Sequence, residues 1–125
     1  MKLRTIASIF LVALPAITLA QTSTLERRVT GKADANINAG AFLPEVRSDC
    51  TADAAPVVHL VTPPAHGNVT IAQGHVPANC PGMKFSGWVA FYRSAKGFRG
   101  QDNFTLEVKD AAGETKIQQI TVTVF

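Results

Sequence analysis

The histidines of this 125-residue chain are the side chains best suited to metal chemistry. There are three of them, His59, His66 and His75, and Met83 follows close behind. Imidazole and thioether groups suit copper, but a blue-copper site expects a histidine soon after its cysteine, and none follows Cys80. We therefore expect histidines in surface turns, and we keep a copper or zinc site at His66 and His75 as the alternative.

Cys50 and Cys80 are the only cysteines of the chain, and both lie beyond the expected signal. A redox centre would normally place them as Cys-x-x-Cys, and a zinc site would add further Cys or His ligands at short spacing. An even number of cysteines in an exported chain favours a disulfide. The sequence therefore predicts a Cys50–Cys80 bridge.

Four basic residues precede Asp102 within a short stretch of chain, and aromatic residues are interleaved with them. The bases are Lys84, Arg93, Lys96 and Arg99, and the aromatics are Trp88, Phe91 and Phe98. Such a set could bind an anionic glycan, a cell-wall polymer or an acidic protein. The same residues are also explained if the aromatic side chains pack in the fold and the bases are simply hydrated in loops. Runs of charge are more often hydrated surface than binding sites. We keep the four bases as a candidate binding face.

The familiar signatures of catalysis are missing from the sequence. It contains neither a Gly-x-Ser-x-Gly nucleophile elbow nor a phosphate-binding glycine loop. Glu45, Asp49 and Asp53 could pair as acid and base, but they fall in a polar segment typical of a solvated loop. We expect no catalytic activity and no cofactor.

The first twenty residues have the pattern of a cleavable export signal. Lys2 and Arg4 precede an apolar run over residues 6–14, and small residues precede the expected cleavage between Ala20 and Gln21. The run is shorter than the ~20 residues that span a bilayer, so we expect no membrane span after cleavage. Since two bases and no acids leave with the signal, the mature chain is nearly neutral and gives little support for nucleic-acid binding.

Residues 21–125 have the length of a single domain, and their pattern is that of β-strands. Apolar, β-branched runs separated by Gly, Pro and Asn turns predict strands at 56–61, 68–71, 87–92, 103–110 and 120–124, with short fragments at 36–38 and 41–43. We expect a frayed polar lead-in over 21–25 and a bulge near Gln118 and Gln119, because Ile117 is out of phase with the last strand. Many short strands without a useful helix predict an antiparallel sandwich.

Several glycine, aromatic and acidic residues occur in a familiar order. The series begins with Pro64-x-His66-Gly67-x-Val69 and a strand ending in Tyr92, and continues with Gly97-Phe98-x-Gly100-x-Asp102-x-Phe104 and Val108-x-Asp110-x-x-Gly113. Over residues 56–125 the chain resembles bacterial immunoglobulin-like and cadherin-like domains. The resemblance implies a Greek-key sandwich of seven or nearly seven strands, used in exported proteins as a spacer, stalk or adhesion module.

Elementary chemistry gives these motif residues folding roles. Gly97 and Gly100 supply backbone angles that other residues avoid, and Asp102 is expected to cap N–H groups of their turn. Phe98 and Phe104 would enter the core on either side of that turn, and Tyr92 would bury its ring and find a partner for its hydroxyl.

The sequence as a whole predicts an exported, all-β, single immunoglobulin-like domain that follows a signal peptide at residues 1–20. We expect it in the periplasm or secreted, as a non-catalytic binding or structural module of the bacterial envelope. Its partner would be an envelope or extracellular protein or glycan, and not a nucleic acid.

Overall fold

A computed structural model describes residues 8–15 and 22–125 of the chain. Residues 8–15 are exposed and have no regular secondary structure, and the expected cleavage position after Ala20 lies outside the described residues. Residues 22–125 form seven strands: β1 (Thr22–Gly31), β2 (Ile37–Phe42), β3 (Val57–Thr62), β4 (Gly67–Val76), β5 (Phe85–Ser94), β6 (Gly100–Lys109) and β7 (Thr115–Val124). The described ranges contain no helix long and apolar enough to cross a membrane.

The strands form two sheets that pack face to face. One sheet has four strands in the order β1-β7-β6-β3, and the other has three in the order β2-β5-β4. Strand β1 runs parallel to β7, whereas all other neighbours are antiparallel. The chain passes from one sheet to the other after β1, β2, β3 and β5, and these connections cross between the layers as in a Greek key. The predicted all-β sandwich is confirmed.

The connections gather at two ends of the sandwich. We call the end formed by residues 32–36, 63–66 and 95–99 the turn end, and the end formed by residues 43–56, 77–84 and 110–114 the disulfide end. A ten-residue strand such as β5 separates them by about 30 Å.

The core lies between the inner faces of the two sheets. In β6 burial alternates strictly, with Phe104, Leu106 and Val108 buried and the residues between them exposed or half-buried. Val122 and Val124 continue the same layer in β7. This period of two is the one from which both strands were predicted, because alternate residues of a strand point to the same face.

Two expectations about irregular regions are wrong. The lead-in expected to be frayed is the start of β1, whose residues pair with β7 from Thr22 opposite Thr115 onwards. No bulge occurs at Gln118, since β7 pairs with β6 in continuous register and Ile117 simply points outward. The register shifts lie instead in β2, at residues 38–40, and in β3, at residues 60–62.

The predicted disulfide is present and joins two loops at the disulfide end. Cys50 in the β2–β3 connection bonds to Cys80 in the β4–β5 connection, with their Cα atoms 5.8 Å apart. In the first loop the Arg47 guanidinium pairs with Asp53 at 2.9 Å. Hydrogen bonds from the Thr51 hydroxyl and amide lower the pKa of Asp49. The carboxylates of Asp49 and Asp53 therefore have local structural partners. Glu45 contributes its backbone carbonyl oxygen, which accepts the N–H of Asp53 at 3.2 Å.

Candidate functional site

The structure separates the four bases that the sequence grouped together. Arg93 is exposed near the end of β5, and Lys96 and Arg99 lie in the turn that follows, so all three are at the turn end. Lys84 directly precedes β5 and lies at the disulfide end, about 30 Å away along the strand. Three of the four candidates therefore share one surface.

A fourth base, Lys32, belongs to the same surface. It lies exposed in the β1–β2 turn, next to Ala33, and the backbone N–H of Asp34 in this turn reaches the Ser94 hydroxyl at 3.4 Å. We call Lys32, Arg93, Lys96 and Arg99 the basic cluster. Sequence reasoning missed Lys32 because its turn comes beside the end of β5 only through the pairing of β2 with β5, in which Ile37 lies opposite Tyr92.

The basic cluster meets little opposing charge. Among the described residues the only ion pair joins Arg47 and Asp53 at the other end of the domain. Asp34 is the exposed acid of the turn end, and the second acid there, Asp102, is only 3% exposed. With four exposed bases against one exposed acid, the turn end thus presents a net positive charge to solvent.

Asp102 holds the turn end together from inside. Its carboxylate accepts the backbone N–H groups of Ala65 and His66 at 3.1 and 2.9 Å, and that of Asn103 at 2.9 Å. The Tyr92 hydroxyl donates the fourth hydrogen bond, at 2.7 Å. A buried carboxylate is tolerable when donors surround it in this way.

This network differs in one respect from the sequence expectation. Asp102 was expected to cap the turn around Gly97 and Gly100, but apart from its own neighbour the N–H groups it binds belong to the β3–β4 turn. That turn is more than thirty residues earlier in the chain. Asp102 therefore ties the two sheets together, which a local turn motif could not reveal.

Tyr92 is fully buried, as predicted, and its hydroxyl has the expected partner. Burial and the hydrogen bond to Asp102 raise the pKa of this phenol well above its usual range. Gly67, the first residue of β4, packs directly on the ring: a Cβ there would lie 2.7 Å from the ring and 2.5 Å from the Arg93 carbonyl oxygen. The ring thus fills the space that the missing side chain leaves.

The β5–β6 turn, which carries Lys96 and Arg99, is held in place by aromatic and backbone contacts. Phe98 stacks on the His66 ring, with 4.4 Å between centroids and an angle of 7° between the planes. The Ala95 N–H donates to the His66 carbonyl oxygen at 2.7 Å. Gly97 and Gly100 have φ angles of 82° and 126°, as their predicted role requires.

The histidines do not form a common site. His66 precedes β4 and His75 lies near its other end, so about 30 Å of strand separates them in one copy of the chain. Within the described residues no group of three or more His, Cys, Asp and Glu side chains is placed to hold a metal ion. The structure thus does not bring together the pair considered as a copper or zinc site.

The fold and its connections define the class of protein. Two face-to-face sheets with the orders β1-β7-β6-β3 and β2-β5-β4 make an immunoglobulin-like sandwich. A family model described as "Bacterial Ig domain" matches residues 15–123, and the chain belongs to that family. Domains of this kind are structural or binding modules.

Other comparisons add little. No curated protein matches the chain. Among solved structures, a 2,6-sialyltransferase of Photobacterium sp. JT-ISH-224 is similar over 85% of this chain and 18% of its own length, with 9% sequence identity and a TM-score of 0.37. The chain therefore spans less than a fifth of that structure.

Proposed function

We propose that the chain is an exported, non-catalytic immunoglobulin-like module of the bacterial envelope that binds an anionic partner through the basic cluster. The observation that carries this proposal is the gathering of Lys32, Arg93, Lys96 and Arg99 at one end of the sandwich without an ion pair among the described residues. A patch of one sign attracts polyanions and speeds their association.

Geometry supports a role in recognition because the basic side chains stand on a fixed platform. The turns that carry Lys96 and Lys32 are anchored, respectively, by the His66–Phe98 stack and by the bond to Ser94. Charges on rigid elements lose less conformational entropy on binding than charges on free loops. The partner that this surface fits is an acidic glycan or cell-wall polymer, or an acidic protein.

Export is supported by two independent features of the chain. The first is the basic and apolar pattern of residues 2–14, which is typical of a signal peptide. The second is the Cys50–Cys80 disulfide, which forms and persists in oxidising compartments such as the periplasm. Amino-terminal sequencing of the protein recovered from a periplasmic fraction tests the proposal: a mature chain beginning at Gln21 supports it, and an uncleaved cytoplasmic product contradicts it.

Charge reversal at the turn end tests the binding surface. We expect Arg99→Glu to weaken retention on immobilised dextran sulfate or poly-glutamate, because it removes one positive charge and adds a negative one beside the other three. Lys84→Glu is the matched control, since it makes the same change about 30 Å away. Comparing the two resins separates a glycan-like partner from an acidic protein.

The binding should weaken as salt is added, because exposed charges are screened over about 10 Å at 0.1 M ionic strength. Equal retention of Arg99→Glu and the unmodified protein on both resins would contradict the proposed surface. Equal losses in Arg99→Glu and Lys84→Glu would show that only net charge matters.

A further inference from the structure

One side of the sandwich is built from a segment without formal charge. Residues 54–83 contain no Asp, Glu, Lys or Arg, although these make up 17% of the chain. The segment supplies β3 and β4, which are edge strands of the two different sheets. Exposed edges usually carry charged residues that prevent another strand from pairing with them. This side, which we call the apolar side, lacks that protection.

The opposite side of the sandwich, between β1 and β2, is protected in the usual way. Glu26, Arg27 and Arg28 lie in edge strand β1. The guanidinium of Arg27 covers β2, since a Cβ at Gly40 would come within 2.6 Å of its Nη1 atom. An inward-pointing charge of this kind blocks strand addition. The lack of charged residues is therefore confined to the edges formed by β3 and β4 and does not extend to every edge of the sandwich.

A crevice opens between the sheets on the apolar side. It has a volume of about 300 Å³ and is lined by Val57, Val58, Ile71 and Trp88. Trp88 is in phase with buried Ala90 in β5, so its ring points between the sheets, yet it remains 36% exposed. The crevice therefore has apolar walls and a large aromatic side chain at its mouth.

We propose that the apolar side binds an extended, uncharged segment of a partner polypeptide, which adds as a strand to the edge of β3 and inserts one large aliphatic or aromatic side chain into the crevice. In strand addition the backbone hydrogen bonds supply affinity and a pocket for alternate side chains supplies specificity. Pro56 and Pro63 flank β3 and its register shifts at residues 60–62, which limits the paired segment to six residues at most.

The chemistry of the partner follows from the chemistry of the surface. Residues 54–83 offer no ion-pair partner, and a charge entering the apolar crevice would lose its hydration without compensation. Exposed Val57 and Val61, at 51% and 52%, extend the apolar surface along β3. The bound segment is therefore neutral, β-forming and free of proline.

A second copy of this chain is a poorer occupant. Edge-to-edge contact through the six residues of β3 extends over about 20 Å and buries on the order of 300 Å² per copy, against about 800 Å² in a standard interface. The inward-facing Val58 of such a copy already packs against its own core and would leave the crevice unfilled. An extended segment that is not packed in a domain of its own can pair with the β3 edge and also place a side chain in the crevice.

Trp88 gives a direct test, because it is the only tryptophan in the chain. The probe is a capped peptide, Thr-Val-Thr-Leu-Thr-Val-Thr, titrated into the purified protein. We expect a saturable blue shift of the fluorescence as the leucine covers the indole ring, and no shift with a peptide whose leucine is replaced by aspartate. A shift that is absent, or equal with both peptides, would overturn the proposal.

Two matched variants locate the binding site. Val57→Lys places a charge at the crevice and should weaken peptide binding at least tenfold, whereas Leu25→Lys makes the same change on β1 and should alter it less than twofold. The two positions are similarly exposed, at 51% and 48%, and circular dichroism checks that both variants fold. Equal affinities of the two variants would refute the location.

Two further measurements separate this site from the other possibilities. Arg99→Glu and added salt should leave peptide binding unchanged, so failure here and failure of the basic cluster are distinguishable. Sedimentation of the unmodified protein should give a monomer; a dimer abolished by Val57→Lys would make a second copy the occupant and overturn the proposal.

Discussion

Replacing Asp102 by asparagine should destabilise the domain more than its small change in shape suggests. In the native fold the carboxylate accepts four hydrogen bonds, three from backbone N–H groups and one from the Tyr92 hydroxyl. An asparagine side chain has a single acceptor oxygen, and its NH₂ group is itself a donor. At least one backbone N–H group must therefore face another donor.

The magnitude follows from the number of bonds affected. Leaving a buried donor without a partner costs about 1–3 kcal/mol, and the remaining bonds lose the strengthening that a charged acceptor gives. Because Asp102 is only 3% exposed, water cannot replace the lost acceptor. We expect a total loss of about 3 kcal/mol, which for a domain of this size lowers Tm by roughly 10–20 °C.

Urea unfolding followed by circular dichroism measures this loss directly. Asp110→Asn is the matched control, since Asp110 accepts one hydrogen bond, from the Glu114 N–H at 2.9 Å, in an outer turn. The control should cost about 0.5 kcal/mol or less. If Asp102→Asn unfolds no more easily than Asp110→Asn, then Asp102 does not hold the two sheets together, and our account of the turn end is wrong.

Three further predictions concern pH, the disulfide and a close backbone contact. Burial and a hydrogen bond raise the pKa of Tyr92 above its ordinary value of 10.0. The contribution of the protonated phenol to the free energy of unfolding is therefore fully present below pH 10, and it should fall by about 1.4 kcal/mol per pH unit above that. Urea titrations should find this slope in the unmodified protein and not in Tyr92→Phe. Replacing Cys50 and Cys80 by serine should lower the free energy of unfolding by about 3–4 kcal/mol in the same assay, because the bridge closes a loop with a sequence separation of 30. Gly67→Ala should cost more than Gly82→Ala in thermal melts, since its Cβ would lie 2.5 Å from a carbonyl oxygen of β5, while Gly82 has open space and loses about 1 kcal/mol from its positive φ.

Periodicity explains which strands were predictable. Strands β3 to β7 have β-branched or alternating apolar residues between turn signals, so each could be recognised locally. Strand β1 has a polar, charged sequence and bonds along one edge only, to β7. Its formation depends on residues some ninety positions away, and no local pattern reports such a contact.

In the candidate site, too, some features are set by local sequence and others by long-range contacts. The positive φ angles of Gly97 and Gly100 belong to turn chemistry, which is local. The sequence groups Lys84 with Arg93 because they are close along the chain, whereas in the fold almost the whole length of β5 separates them.

By itself, the sequence determined the class of the fold, the disulfide and the residues of the β5–β6 turn, because alternation, cysteine count and glycine conformation act over short stretches of chain. Tertiary structure alone decided which bases share a surface, which turn Asp102 caps and which side of the sandwich is left without charge. These features depend on how seven strands are ordered in two sheets, and that order is set by long-range pairing that a linear pattern does not contain.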